Sequence, residues 1–211
     1  MDAGENAVLG LRARIKRETG EAISAAALRL ALERGPENVR VEDIATEAGV
    51  SPRTYNNYFS SREQAICAAL AAGQALRVST ALRARPAGEP LDEALGHAMA
   101  EQYGGEPDRL AIALVTETPG LRGEYLKTCE ATEVVLAQAI ADRTGMDPRR
   151  DLRARTLAAA VAAAARVAIE RWQRADAGTP LADVLREALS HLAPALASPE
   201  SRPGQGPRPR S

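Results

Sequence analysis

V-E-D-I-A-T-E-A-G-V-S-P-R-T-Y-N-N-Y-F, residues 41–59, decides how the rest of the chain is read. Val41, Ile44, Ala45 and Ala48 recur at i, i+3, i+4 and i+7, which lays an apolar face along one side of a helix. Gly49 stands where that helix stops, and glycine enters a left-handed turn without steric cost. Val50 follows as an apolar plug. Ser51 is a good N-cap and Pro52 a good first helical residue, because the N–H that proline lacks would be unpaired there. The pattern predicts a second helix from Pro52 to about Tyr58. Two short helices across a glycine turn fit either a plain αα-corner or a helix-turn-helix that reads the DNA major groove, and spacing alone does not choose. The side chains tilt the choice: Arg53, Thr54, Asn56, Asn57 and Tyr58 suit phosphates and base edges.

Upstream, residues 1–11 are expected to be disordered, and a first helix is expected from about Arg14 to Arg34. Its inner stripe is Ile23, Ala26, Ala27 and Leu30, and Gly35 ends it. Arg12, Arg14, Lys16 and Arg17 form a basic cluster that is either a solvated helix end or an arm on the DNA backbone. Downstream, Ser60 with Glu63 fits a capping box for a helix reaching about Arg85, where Pro86, Gly88 and Pro90 break it. Further helices are expected at Leu91–Tyr103, Pro107–Glu117, Pro119–Thr144, Pro148–Ala175 and Leu181–Leu196. Residues 198–211, rich in Pro, Gly and Arg, are expected to be disordered.

The 211 residues are 45% hydrophobic, 26% charged and only 3% aromatic, and alanine dominates, which points to an all-α fold. A formal net charge of −1 does not advertise nucleic-acid binding, so any basic footprint must be local. No apolar run of about 18 residues or signal-peptide pattern appears, which places the chain in the cytoplasm. Cys67 and Cys129 give no disulfide or metal framework; they read as buried thiols, with a redox switch as the alternative. His97 and His191 are the only histidines, and His97 with Glu101 lacks a third ligand. Without a nucleophile motif or a phosphate loop, an enzyme is not expected, nor is a cofactor or a metal.

Residues 21–66 carry a resemblance. E-A-I-x-x-A-A-L-x-L-x-x-E-R-G (21–35), then V-E-D-I-A-x-E-A-G-V-S-P-R-T-Y-N-N-Y-F-S-S-R-E-x-A-I (41–66), resemble the DNA-binding domain of TetR-family transcriptional regulators. The resemblance implies a helix-turn-helix domain over 12–66, a fourth helix running on as linker to about residue 85, and a ligand-binding and dimerisation domain over 67–197. It implies that Ser51, Pro52, Arg53, Thr54, Asn56, Asn57 and Tyr58 face an operator, Arg53 bonding guanine and an asparagine reading adenine or holding phosphate. Thr54, Tyr58 and Arg62 would fix position on the backbone, with the cluster at 12–17 as the basic arm. Three positions depart from the family pattern. Ala31 and Pro36 stand where phenylalanine is frequent, and Leu32, Tyr55, Tyr58 and Phe59 are candidates to fill the gap. Arg40 stands where a serine or threonine cap is usual; the lost cap costs about 1 kcal/mol, and Arg40 is either a phosphate contact or a neutral surface exchange.

T-E-T-P-G-L-R (116–122), D-P (147–148) and L-A-A-A-V-A-A-A-A-R-V-A-I-E-R-W (157–172) resemble the ligand-binding domain of TetR regulators of the mycofactocin-regulator type, which implies an acyl-CoA-like effector. Met99, Tyr103, Leu110, Leu114, Glu117, Tyr125, Cys129 and Trp172 are pocket candidates, with Arg109 and Arg122 at its mouth. Leu157, Val161, Ala164, Ala165 and Ala168 form one stripe, and Leu181, Val184, Leu185, Ala188, Leu189 and Leu192 another. Together they are read as a homodimer interface, with internal core as the alternative. Arg166 reaches solvent, a partner or a ligand. The expectation is a dimeric repressor on a palindromic operator, released by a small apolar effector; an effector-independent factor or activator is the alternative.

Overall fold

The computed structural model describes residues 3–103, 108–147, 151–176 and 178–197. Among these the chain is helical throughout its regular structure and has no strand, as the alanine-rich, aromatic-poor composition predicts. The helices are α1 (Ala3–Arg34), α2 (Val41–Glu47), α3 (Pro52–Asn56), α4 (Arg62–Ala84), α5 (Leu91–Tyr103), α6 (Arg109–Glu117), α7 (Pro119–Thr144), α8 (Leu152–Gln173), α9 (Leu181–Ser190) and α10 (Ala193–Leu196). A 3-10 turn, Pro36–Asn38, precedes α2.

Several boundaries differ from expectation for local reasons. α1 is helical from Ala3, in place of an unstructured 1–11 segment. The stretch holds no proline, and i,i+4 pairs Arg14–Glu18 (3.5 Å) and Arg17–Glu21 (3.8 Å) support its middle. α4 is capped by Ser61, not Ser60: the Ser61 hydroxyl accepts the Gln64 N–H at 3.1 Å, and Gln64 Oε1 accepts the Ser60 N–H at 2.7 Å. Glu63, the expected reciprocal partner, pairs with Arg62 instead. Asp108 caps α6 through the N–H groups of Leu110 and Ala111, and Asp151 caps α8 through that of Arg153. The last expected helix is broken between Ser190 and Ala193, because Pro194 cannot donate to a preceding carbonyl. The tail 198–211 lies outside the described residues.

The chain packs into two compact units. The first comprises 1–77 and 107–135, so α6 and most of α7 join the N-terminal helices. Val115 and Leu121 are buried in the same core as Ile23, Leu30, Ala31, Ile44, Tyr55 and Ile66. They add apolar volume to a core in which Ala31 is small. Of the four proposed fillers, Tyr55 is buried, Tyr58 and Phe59 pack against the core, and Leu32 is 39% exposed and fills nothing. The Cys67 thiol donates to the Leu121 carbonyl (3.4 Å), and burial pushes it up to about 12, so it is the inert thiol that the sequence suggested.

The second unit comprises 78–106 and 136–211. α9 packs between α8 and α5. Leu157, Val161 and Ala168 of α8 and Leu181, Val184, Leu185 and Leu189 of α9 are buried within this single chain. The stripes read as a dimer interface are therefore mainly internal core. An amphipathic stripe announces that a helix needs a partner, not whether that partner is the same chain. Ala164, Ala165, Ala188 and Leu192 remain half-buried. Arg166 pairs with Glu170 on its own helix at 3.3 Å. The α4–α5 turn is clipped by Arg143, which donates to the carbonyls of Arg85 (3.2 Å), Pro86 (2.6 Å) and Glu89 (2.5 Å). Glu89 accepts a forked bond from Arg85 and lies 2.7 Å from His97 Nδ1; Arg85 first, then His97, hold its carboxyl down to about 2.

Candidate nucleic-acid interface

The turn between α2 and α3 is built by the predicted residues. Ala48 closes α2 by donating to the Ile44 carbonyl at 2.9 Å, and Gly49 turns left-handed with φ +67°. Val50 then donates back to the Ala45 carbonyl at 2.9 Å, which satisfies a carbonyl at the helix end. Ser51 caps α3: its hydroxyl accepts the Thr54 N–H at 3.0 Å and lies 2.9 Å from the Thr54 hydroxyl. Pro52 follows at the first helical position.

α3 is short, ending at Asn56 rather than near Tyr58. It faces inward through Tyr55, which is 1% exposed and whose hydroxyl donates to the Ser61 carbonyl at 2.8 Å. Burial pushes that phenol up to about 12. The helix is thereby fixed in rotation. Ser51, Pro52, Arg53, Asn56 and Asn57 are left exposed, one guanidinium and two carboxamides among them. Thr54 is half-buried and its hydroxyl is engaged with Ser51. Tyr58 is half-buried against α1, where a Cβ on Gly20 would lie 3.4 Å from its ring. Neither threonine nor this tyrosine is as free as the exposed face of α3.

The other candidates fall into three groups. Arg12, Arg14, Lys16 and Arg17 are all exposed on α1, and Arg14 and Arg17 are the two paired with glutamates of their own helix. A groove between α1 and α4 brings Lys16 and Arg17 beside Tyr58 and Phe59. Arg40 is exposed at the N-cap of α2 and offers the helix no side-chain acceptor; the Asp43 carboxylate accepts the Arg40 N–H at 3.2 Å, so half of a capping box survives. Arg62, half-buried, is engaged by its own chain: its Nε donates to Glu63 at 2.6 Å, and its Nη1 to the carbonyls of Glu37 and Val39, both at 3.0 Å. The sequence alone gave no sign of that contact, since the partners are main-chain atoms more than twenty positions away.

The pocket candidates are divided between the units: Met99, Tyr103 and Trp172 lie in one, and the other seven in the other. Met99 is buried, and Trp172, also buried, donates its indole N–H to the Thr179 carbonyl at 2.8 Å, pinning the α8–α9 connection. Leu110 is exposed, as are Glu117 and Arg122, while Arg109 and Cys129 are half-buried. Leu114 and Tyr125 pack against the core of the first unit.

Residues 23–66 match the family model for bacterial regulatory proteins of the tetR family, and residues 89–197 match that of the MftR C-terminal domain. The chain is also 37% identical over 208 residues to the HTH-type transcriptional regulator TcmR of Streptomyces glaucescens, covering 92% of each chain. It belongs to the TetR family of transcriptional regulators. Among solved structures, the fold resembles Thermus thermophilus FadR, a TetR-family repressor in complex with lauroyl-CoA (TM-score 0.53, 23% identity, 89% of this chain and 100% of that one). It also resembles the multidrug binding protein EbrR complexed with malachite green (TM-score 0.50, 22% identity, 82% and 96%). In this TetR-family regulator, α2 and α3 lie within the matched N-terminal region and are its helix-turn-helix. Among the described residues no His, Cys, Asp or Glu cluster suits a metal ion, and no helix is long and apolar enough to cross a membrane.

Proposed function

We propose that this TetR-family regulator is a cytoplasmic, non-enzymatic homodimeric repressor, bound to a palindromic operator and released by a small apolar effector of the acyl-CoA type. The observation that carries the DNA-reading half is the fixed rotation of α3: Tyr55 points inward and Arg53, Asn56 and Asn57 outward. In this reading Arg53 bonds guanine bidentately, and Asn56 or Asn57 reads adenine or holds phosphate. One short helix makes few base contacts, so two copies about 34–36 Å apart are needed to read successive major grooves. The outer side of α8 is the surface assigned to the second copy. Leu152 and Val167 are 75% and 55% exposed there, and Ala163 lies exposed between them. The effector class is supported by the match to the MftR C-terminal domain and by the lauroyl-CoA complex of the FadR neighbour.

The test is footprinting of the full chain on its own upstream DNA, with and without a long-chain acyl-CoA. A palindromic footprint lost on addition of the ligand is the expected result; a footprint that persists removes the effector class and keeps the operator. Arg53→Ala should weaken operator binding by about 1–3 kcal/mol and relax the sequence preference at one position in each half-site. Unchanged affinity and preference would remove Arg53 from the reading set.

A further inference from the structure

We propose that Arg62 is a positioning residue that ties the first turn of α4 to the chain entering α2, and that it makes no operator phosphate contact. The inference rests on the DNA-binding reading only for its second half. One nitrogen of the guanidinium, Nη1, donates to the Glu37 and Val39 carbonyls at 3.0 Å each. Those carbonyls belong to the middle residue of the 3-10 turn and to the extended residue that leads toward α2. Nε is given to the Glu63 carboxylate at 2.6 Å, so the guanidinium charge is met by an adjacent carboxylate before any phosphate approaches. Burial pushes the Glu63 carboxyl up, but hydrogen bonds from Arg62, from its own backbone N–H and from Ser61, with the Arg62 charge, together hold the group below its ordinary value.

A second observation explains why a tie is needed at this place. The N-cap of α2 is Arg40, which supplies no side-chain acceptor to the first turn. The entry to α2 is instead fixed from two sides: Val39 is fully buried in the core, and its carbonyl, with that of Glu37, is gripped by Arg62. α2 carries Gly49 and the approach to α3, so an error in its start displaces the recognition face. The lost cap at Arg40 and the grip by Arg62 are two parts of one arrangement.

The experiment uses the full chain as wild type, Arg62→Ala and Arg62→Gln. Hydrogen exchange without DNA reads the tie directly. The amides of residues 39–44 should exchange roughly tenfold faster in Arg62→Ala, while those of α8 and α9 stay unchanged and report an intact fold. Equal exchange at 39–44 overturns the proposal. If Arg62→Ala does not fold, Arg62→Gln, which keeps a neutral donor, is read in the same way with a smaller rise. Operator titrations over a range of salt then separate the two roles. A phosphate contact gives the variant a salt slope shallower by about 1 per subunit, whereas a tie lowers affinity and leaves the slope unchanged. A shallower slope overturns the proposal. Failure of the wild type to bind its upstream DNA would count against the proposed operator reading alone, since exchange at 39–44 still judges the tie.

Discussion

Tyr55→Phe deletes one oxygen and leaves the ring of the α3 anchor in place. The hydroxyl donates to the Ser61 carbonyl at 2.8 Å, across the connection between α3 and α4. That carbonyl also accepts the Ala65 N–H at 3.2 Å, so the substitution leaves no orphaned acceptor. The loss is therefore that of one neutral hydrogen bond, about 1 kcal/mol. Tyr55→Ala also removes a ring that is 1% exposed and sits 5.9 Å from that of Phe59, and should cost about 3–5 kcal/mol. The pH dependence gives a sharper test. Burial raises the phenol from 10 to about 12, so the folded state prefers the protonated form. That contribution is fully present below about pH 10, the unfolded value, and is lost as pH rises toward 12. Phenylalanine has no such proton, so the stability gap between wild type and Tyr55→Phe should shrink at high pH. Urea unfolding followed by circular dichroism at about pH 8 and about pH 11 measures both. A variant as stable as wild type at the lower pH, or a gap that does not change, would refute the burial and bonding assigned to Tyr55.

Three other outcomes follow from single features. Gly49→Ala meets no atom within 4 Å, so its cost is the left-handed backbone alone, about 1 kcal/mol, and Gly49→Asn should cost less; equal melting temperatures for all three chains would contradict the turn geometry. The Glu89 carboxyl is held low by Arg85 and His97, so its stabilisation is present above the unfolded value, about 4.3, and is lost as pH falls toward about 2. Acid unfolding of wild type against Glu89→Gln should show a gap that closes across that interval, and a gap independent of pH would sink the assignment. In the folded protein at about pH 8, an alkylating reagent should modify half-buried Cys129 well before buried Cys67, whose thiol stays protonated. Equal rates at the two thiols would show that Cys67 is not shielded.

Local chemistry made much of this fold legible. α5 and α7 begin and end at the predicted residues, and the Gly49–Ser51–Pro52 turn has the predicted conformation. The family was legible for the same reason, since its motif is a continuous run of turn, cap and core residues. What escaped was set by contacts distant in sequence. The burial of Val115 and Leu121 with Ile23 and Ile66 decides where the first unit ends, and no local pattern encodes it. Periodicity found the stripes on α8 and α9 but could not say that they face each other in one chain. The contacts of Arg62 with the Glu37 and Val39 carbonyls escaped for the same reason, because main-chain acceptors have no signature in the sequence.

α6 and most of α7 share a core with the helix-turn-helix, although the second unit's residues from 78 onward lie between them in sequence. No single cut therefore releases an intact reading head. A graft of residues 1–77 onto another regulator would arrive without Val115 and Leu121, and the recipient would have to supply matching side chains. Chimeras built at a helix boundary should then express poorly unless the 107–135 segment travels with the donor. A change at the start of α7, where Leu121 is buried, is felt in the same core that holds α2 and α3.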